Sequence, residues 1–289
     1  MFQRLSDKKE AQSTSVLIYG SKAGKSVQIA TLGNRNLWIC LDADGYAVAQ
    51  SPWFKKSYGV VNPFVIEIFE ELAQEGFHIP TESQVYDKIY HVLDYAFKNY
   101  IDEFDFVSID SLTTLSRASL LKALDVNATT RKSQTKINIV EKLNALLPAI
   151  QDYGTEMSLV QQLIDLLISN CKKYNKTLIV TAHERLMYAK NKATGVEDYN
   201  GIRPAVTGRA QPDNITQAFS NVWYMKRVGF GVFRLYTQGD GEFLASSRNA
   251  GLFTDVIPDG SAAHKLKYPN GPNISVMLKE IRDLSVPSS

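Results

Sequence analysis

At 289 residues, 44% hydrophobic and 21% charged, the chain has ordinary globular values, enough for one large domain or one domain with a small appendage. No apolar run approaches the ~18 residues of a membrane span, so no membrane association is expected. A formal net charge of +2 neither demands nor excludes nucleic acid, because any basic footprint has to be local.

The polar N-terminal stretch 1–14 lacks the apolar core of a signal peptide, and a cytoplasmic protein is expected. Cys40 and Cys171 both lie in apolar surroundings and read as reduced, buried thiols.

Val16 to Tyr19 form a short apolar run that reads as a buried strand. It breaks at Gly20-Ser21-Lys22-Ala23-Gly24-Lys25-Ser26, and a helical stretch follows. Strand, Gly-bearing turn and helix start are the order of a phosphate-binding P-loop. Glycines let backbone N–H groups approach a polyphosphate, and the helix start adds partial positive charge. Lys25 is expected to reach the β/γ-phosphates of ATP and the Ser26 hydroxyl to sit on Mg²⁺. The motif G-x-x-x-x-G-K-[ST] has one residue more between its glycines than this chain, and counting back from Ser26 puts Tyr19 in the first glycine's place. Either the loop is tighter, or the first glycine is not needed where Gly20 follows. A plain strand-to-helix turn is the alternative.

Residues 27–32 read as a short helix ended by Gly33 and Asn34, and 37–41 as a second buried strand running into Asp42-Ala43-Asp44-Gly45. A strand ending in acidic residues puts carboxylates at the carboxyl edge of a sheet, beside the P-loop. Residues 51–63 look like a loop. Stretches 64–74 and 82–100 carry apolar residues at three-and-four spacing and predict two helices, separated at Gly76, with Thr81 and Gln84 as a capping box.

The third strand, 104–109, ends in Asp110-Ser111, the Walker-B pattern, with a carboxylate expected to hold Mg²⁺ from the strand next to the P-loop. A helix over 112–124 follows. The polar stretch 127–135, with Arg131, Lys132 and then Lys136, reads as a solvated linker or a nucleic-acid contact.

An amphipathic helix is predicted over 159–174, then a fourth strand over 177–182 that ends in His183-Glu184. His183 stands at a strand end like Asp44 and Asp110, which favours a functional role. His78, His91 and His264 read as surface or packing residues. The long polar connection 185–217 holds Lys190, Lys192, Arg203 and Arg209, and connections of that length inside a domain are usually functional or disordered. A hairpin is predicted from 222–226 and 232–236, a short strand over 242–246 before Arg248, and a last helix over 274–284.

Strands alternating with helices make an α/β fold with a largely parallel sheet, closed by a C-terminal β-hairpin. At this point the chain resembles the RecA-like P-loop ATPases of bacteriophages, the family that includes Sak-type single-strand annealing proteins. The resemblance covers about 16–252. It rests on Tyr-Gly…Gly-Lys-Ser, Leu-Asp-Ala-Asp, Ile-Asp-Ser-Leu-Thr-Thr-Leu, Ile-Val-Thr-Ala-His, Pro-Ala-Val-Thr-Gly-Arg and Ala-Ser-Ser-Arg. It implies a tail at 1–14, a RecA-like domain at 15–257 and an extension at 258–289.

It further implies Mg²⁺-dependent ATP hydrolysis in a host cytoplasm, with Asp44 orienting water and Ser26 and Asp110 holding the metal. His183 would sense the γ-phosphate, and Arg248 or a lysine of the late hairpin would reach a neighbouring subunit's nucleotide. A surface salt-bridge role for Arg248 is the alternative. Single-stranded DNA and self-association into a ring or filament are the implied partners. Two other readings stay open: a regulatory or structural nucleotide-binding module with little hydrolysis, and a helicase-like or packaging motor.

Overall fold

The computed structural model describes residues 14–21, 24–42, 44–68, 84–128, 136–140, 143–146, 148–190, 195–208, 211–229, 232–248 and 272–284. Six strands run parallel: β1 (Ser15–Gly20), β2 (Asn36–Cys40), β3 (Phe64–Glu67), β4 (Phe106–Asp110), β7 (Thr177–Ala182) and β10 (Asn221–Gly229). Two antiparallel strands, β11 (Val232–Tyr236) and the short β12 (Ser246–Ser247), both pair with β10. The sheet order is β11-β10-β1-β7-β4-β2-β3. This is an α/β fold, a largely parallel mixed sheet with helices on both faces.

The central strands are continuous apolar runs because helices cover both faces of the sheet. Alternate residues feed opposite cores. Leu17, Tyr19, Ile39, Ile109 and Val180 face α4 (Gln84–Asn99), α5 (Leu112–Ala128) and α6 (Ile150–Lys173). Val16, Ile18, Trp38, Cys40 and Ile179 face α1 (Lys25–Ala30), α3 (Pro52–Tyr58) and α8 (Ile274–Leu284).

Several expectations are corrected. β7 lies between β1 and β4, so the Asp110 strand is not next to the P-loop strand. Phe64–Glu67 is not the start of a helix but an edge strand on β2. Its Phe-Val-Ile run suits a pleated surface, and β2 supplies the hydrogen-bonding partner that local periodicity cannot register. Gly76 and Thr81 lie outside the described residues. Within the supposed loop, Ser51 caps α3 by accepting from Phe54 N at 3.1 Å, with Pro52 at the first helical position. A short helix α2 (Ala47–Gln50) precedes it. α6 begins at Ile150, upstream of the expected start, and carries Gly154 within it.

The long connection after β7 is an antiparallel ribbon, β8 (Glu184–Lys190) with β9 (Glu197–Pro204), followed by α7 (Gln211–Gln217). A second small ribbon pairs β5 (Lys136–Val140) with β6 (Leu143–Leu146).

α8 buries Ile274, Met277, Leu278 and Ile281 on the α1 side. Gln28 of α1, 1% exposed, ties it down: its Nε2 donates to Pro272 O at 2.8 Å and its Oε1 accepts from Ile274 N at 3.2 Å. Gln28→Met keeps the volume but strands a buried carbonyl and a buried N–H, each costing about 1–3 kcal/mol. Urea unfolding should show a loss of roughly 2–6 kcal/mol; unchanged stability would mean that α8 is held by its apolar face alone.

Candidate phosphate and cation site

Gly20 is required by packing. A Cβ there would lie 1.9 Å from the carbonyl oxygen of Met225, the β10 residue level with it. Tyr19, in the first glycine's place, points to the opposite face of the sheet. Its ring packs on Tyr224 with centroids 5.1 Å apart, and its hydroxyl donates to Leu244 O at 2.7 Å. The shortened motif thus has a physical reading: the residue before Gly20 belongs to the core. Ser21 follows, partly exposed; Lys22 and Ala23 lie outside the described residues. Gly24 closes the loop in the left-handed region at φ 83°, a conformation that favours glycine, and α1 starts at Lys25.

Lys25 is 6% exposed, and its ammonium donates to Gly20 O at 2.9 Å and Ser21 O at 2.7 Å. Burial lowers its pKa, against the pull of Asp110, Asp42 and Glu184. The Ser26 hydroxyl donates to Asp110 Oδ2 at 2.8 Å, across the width of β7. Asp110 is 3% exposed, and its other oxygen accepts from Thr181 of β7. Burial pushes the Asp110 carboxyl up, against the hydrogen bonds of Thr181 and Ser26. Gly45 leaves room here, since a Cβ would lie 3.0 Å from Asp110 Oδ2.

Asp42, rather than the expected Asp44, is the carboxylate brought to this cluster, and the backbone is the reason. Asp42 N donates to Asp110 O at 3.0 Å, which turns the chain out of β2 and brings the Asp42 carboxylate to the site. One of its oxygens accepts from Thr114, and the other lies 3.5 Å from His183 Nε2. Burial pushes the Asp42 carboxyl up, but the bonds from His183 and Thr114 outweigh it and hold it at about 2. Asp44, two residues on, adopts φ 59° and is exposed; its backbone N–H points to Glu67 Oε1 at 3.4 Å. The D-x-D spacing alone does not say which carboxylate turns inward.

His183, at the end of β7, lies beside Asp42, and Glu184 next to it accepts from the Tyr224 hydroxyl at 2.9 Å. Arg248 is not brought in. β12 pairs with the beginning of β10, Asn221 against Ser247, at the sheet edge opposite the P-loop. On the loop side of β10, Lys226 follows directly on Met225.

Among the described residues no group of three or more His, Cys, Asp or Glu could enclose a metal. A hydroxyl and a carboxylate oxygen, as at Ser26 and Asp110, are nevertheless a hard-oxygen pair that fits Mg²⁺, which keeps several waters and completes its shell with phosphates.

No protein-family model matches the chain, and no curated protein is similar to it. Among solved structures, the crystal structure of the RadB recombinase is similar with a TM-score of 0.40 and 12% identity, over 77% of this chain and 79% of that one.

The Asp42 carboxyl is held below its ordinary 3.8, at about 2. Its stabilisation is therefore complete above about pH 4 and is lost as the pH falls toward 2. Asp42→Asn should flatten the acid-unfolding curve over that window; a slope equal to wild type would show that the carboxylate is not held by His183 and Thr114 in solution.

Proposed function

We propose that the protein is an ATP-binding, RecA-like ATPase of the phage annealing and recombination kind, acting on single-stranded DNA. The observation that carries the reading is the convergence of Lys25, Ser26, Asp110 and Thr181 at the carboxyl edge of a parallel sheet, under a turn closed by a left-handed glycine. Lys25 and the loop N–H groups bind the phosphates, and Ser26 and Asp110 hold Mg²⁺, which neutralises phosphate charge when bound. Asp42 replaces Asp44 as the water-orienting carboxylate, with His183 beside it to sense the γ-phosphate. A second reading, a module that binds nucleotide and hydrolyses it slowly, is favoured by Asp42 itself, whose two oxygens are already taken by Thr114 and His183.

The β8–β9 ribbon is the proposed DNA contact. Tyr188 and Tyr199 are 53% and 49% exposed, with ring centroids 6.2 Å apart, and offer faces for unpaired bases. Arg185 and Lys190 are exposed on the same ribbon. Arg203, also expected to meet DNA, is instead paired with Asp213 at 2.9 Å. Lys192 and Arg209 lie outside the described residues.

Self-association into a ring or filament is part of the proposal. The outer edge of β3 pairs with no strand among the described residues, and exposed Phe64 and Val65 border an apolar groove of about 660 Å³ lined also by Tyr95 and Tyr100. A second copy of this chain is the occupant this supports. In such an assembly the hairpin cation Lys226, or Arg248, is the candidate for reaching a neighbour's nucleotide.

Lys25→Ala removes charge-assisted hydrogen bonds of roughly 1.5–3 kcal/mol each, so affinity for a slowly hydrolysed Mg·ATP analogue should fall about ten- to a hundredfold per lost contact. Calorimetry measures it, and equal affinity in wild type and variant would sink the assignment. ATPase turnover that rises with single-stranded DNA supports the recombination reading; tight binding without turnover supports the slow module.

For DNA, Arg185→Ala with Lys190→Ala should flatten the log–log salt dependence of single-stranded DNA affinity by about 1.4, and Tyr188→Ala should cost about 1–3 kcal/mol at any salt. Fluorescence anisotropy across a salt series decides it: an unchanged slope moves the DNA site off this ribbon.

A further inference from the structure

The β8–β9 ribbon leaves the sheet at His183 and returns at Ala205, and its two ends are joined by hydroxyls of α5. The Thr113 hydroxyl accepts from His183 N at 2.9 Å and donates to Ala205 O at 2.8 Å, so one side chain bridges both legs. Ala205 N donates to His183 O at 2.7 Å and closes the base. One turn along the same helix, the Ser116 hydroxyl accepts from Thr207 N at 2.8 Å and lies 2.6 Å from Thr207 Oγ1. Its own proton goes to Glu156 Oε1 of α6, 2.6 Å away, a carboxylate with no exposed surface. With that proton committed, the Thr207 hydroxyl donates to Ser116, giving a directed chain from Thr207 through Ser116 to Glu156.

The same first turns of α5 carry the other half of the arrangement. The helix begins two residues after Asp110, and Thr114, next to Thr113, holds the Asp42 carboxylate. Adjacent residues of one rigid turn thus grip the carboxylate cluster on one side and the ribbon's base on the other.

We propose that Thr113, Ser116 and Thr207 are positioning residues that couple occupancy of the Asp42/Asp110 cluster to the orientation of the β8–β9 ribbon. The inference rests on the nucleotide-binding reading above and deepens it. Apolar packing tolerates a small slide. Hydrogen bonds weaken steeply with angle, so a shift in the first turn of α5 when a nucleotide and its cation bind either carries the ribbon along or releases its base.

Hydrogen–deuterium exchange of the full chain, with and without Mg²⁺ and a slowly hydrolysed ATP analogue, tests this without requiring DNA. The wild type should change amide protection over 184–204 when the analogue binds. Thr207→Val, outside the phosphate site, should keep analogue affinity within about twofold of wild type while that change shrinks severalfold. Thr113→Val should abolish it, and Thr113→Ser, which restores the hydroxyl, should recover it. Variants that keep the full wild-type response overturn the coupling. A wild type that binds the analogue with no change over 184–204 overturns the coupling alone, and one that does not bind the analogue overturns the nucleotide reading with it.

Discussion

A carboxylate buried at the end of a parallel strand is the interaction on which the arrangement of this protein depends. Asp110 is nearly inaccessible, and an ionised carboxylate in such a place is costly unless hydroxyls or cations meet it. Ser26, in the first turn of α1, and Thr181, near the end of β7, do so, one oxygen each. Those two bonds join the start of α1, the end of β7 and the end of β4 into one unit. The raised carboxyl of Asp110 and the lowered ammonium of Lys25 have the same cause, removal from water in a space otherwise lined by sheet and helix. The proposed assignment of a phosphate-bound cation to this space rests on the paired oxygens of Ser26 and Asp110.

Around this unit the fold uses hydroxyls as well as apolar contacts to join its pieces. Thr113, Ser116 and Thr207 make a polar seam between α5 and the chain leaving the ribbon, Thr114 beside them holds Asp42, and Glu156 terminates the seam inside the protein. A satisfied polar seam specifies one orientation of the pieces it joins, because each bond has a direction that packing lacks. The opposite core, built on Trp38, Trp223 and the α8 side chains, shows the other strategy, and there Gln28 supplies the polar fastening.

The ribbon and the sheet edge differ in what they expose. The ribbon presents two tyrosines in an edge contact above a base fixed by backbone bonds. The edge strand β3 presents Phe64 and Val65 beside Tyr95 and Tyr100, an apolar surface of the type that marks association sites when it is contiguous. The proposed DNA contact and the proposed contact between copies thus fall on different parts of the molecule.

Most of the strands were legible from sequence, because β1, β2, β4 and β7 are apolar runs bounded by glycine, carboxylates or histidine, and both-face burial imposes that pattern. The last helix, 274–284, was legible from its apolar spacing, although its attachment through Gln28 was not. Sequence order could not reveal that β7 inserts between β1 and β4, since strand pairing is decided by contacts between distant segments. Nor could it distinguish a four-residue edge strand from the start of a helix at Phe64, where the partner β2 is what decides. The choice between Asp42 and Asp44 depended on a single turn, in which Asp42 N bonds to Asp110 O and Asp44 takes a left-handed backbone. Local sequence determined which residue types stand at the ends of the strands; the tertiary hydrogen bonds decided which side chains turn inward, because only the folded chain brings their partners within reach.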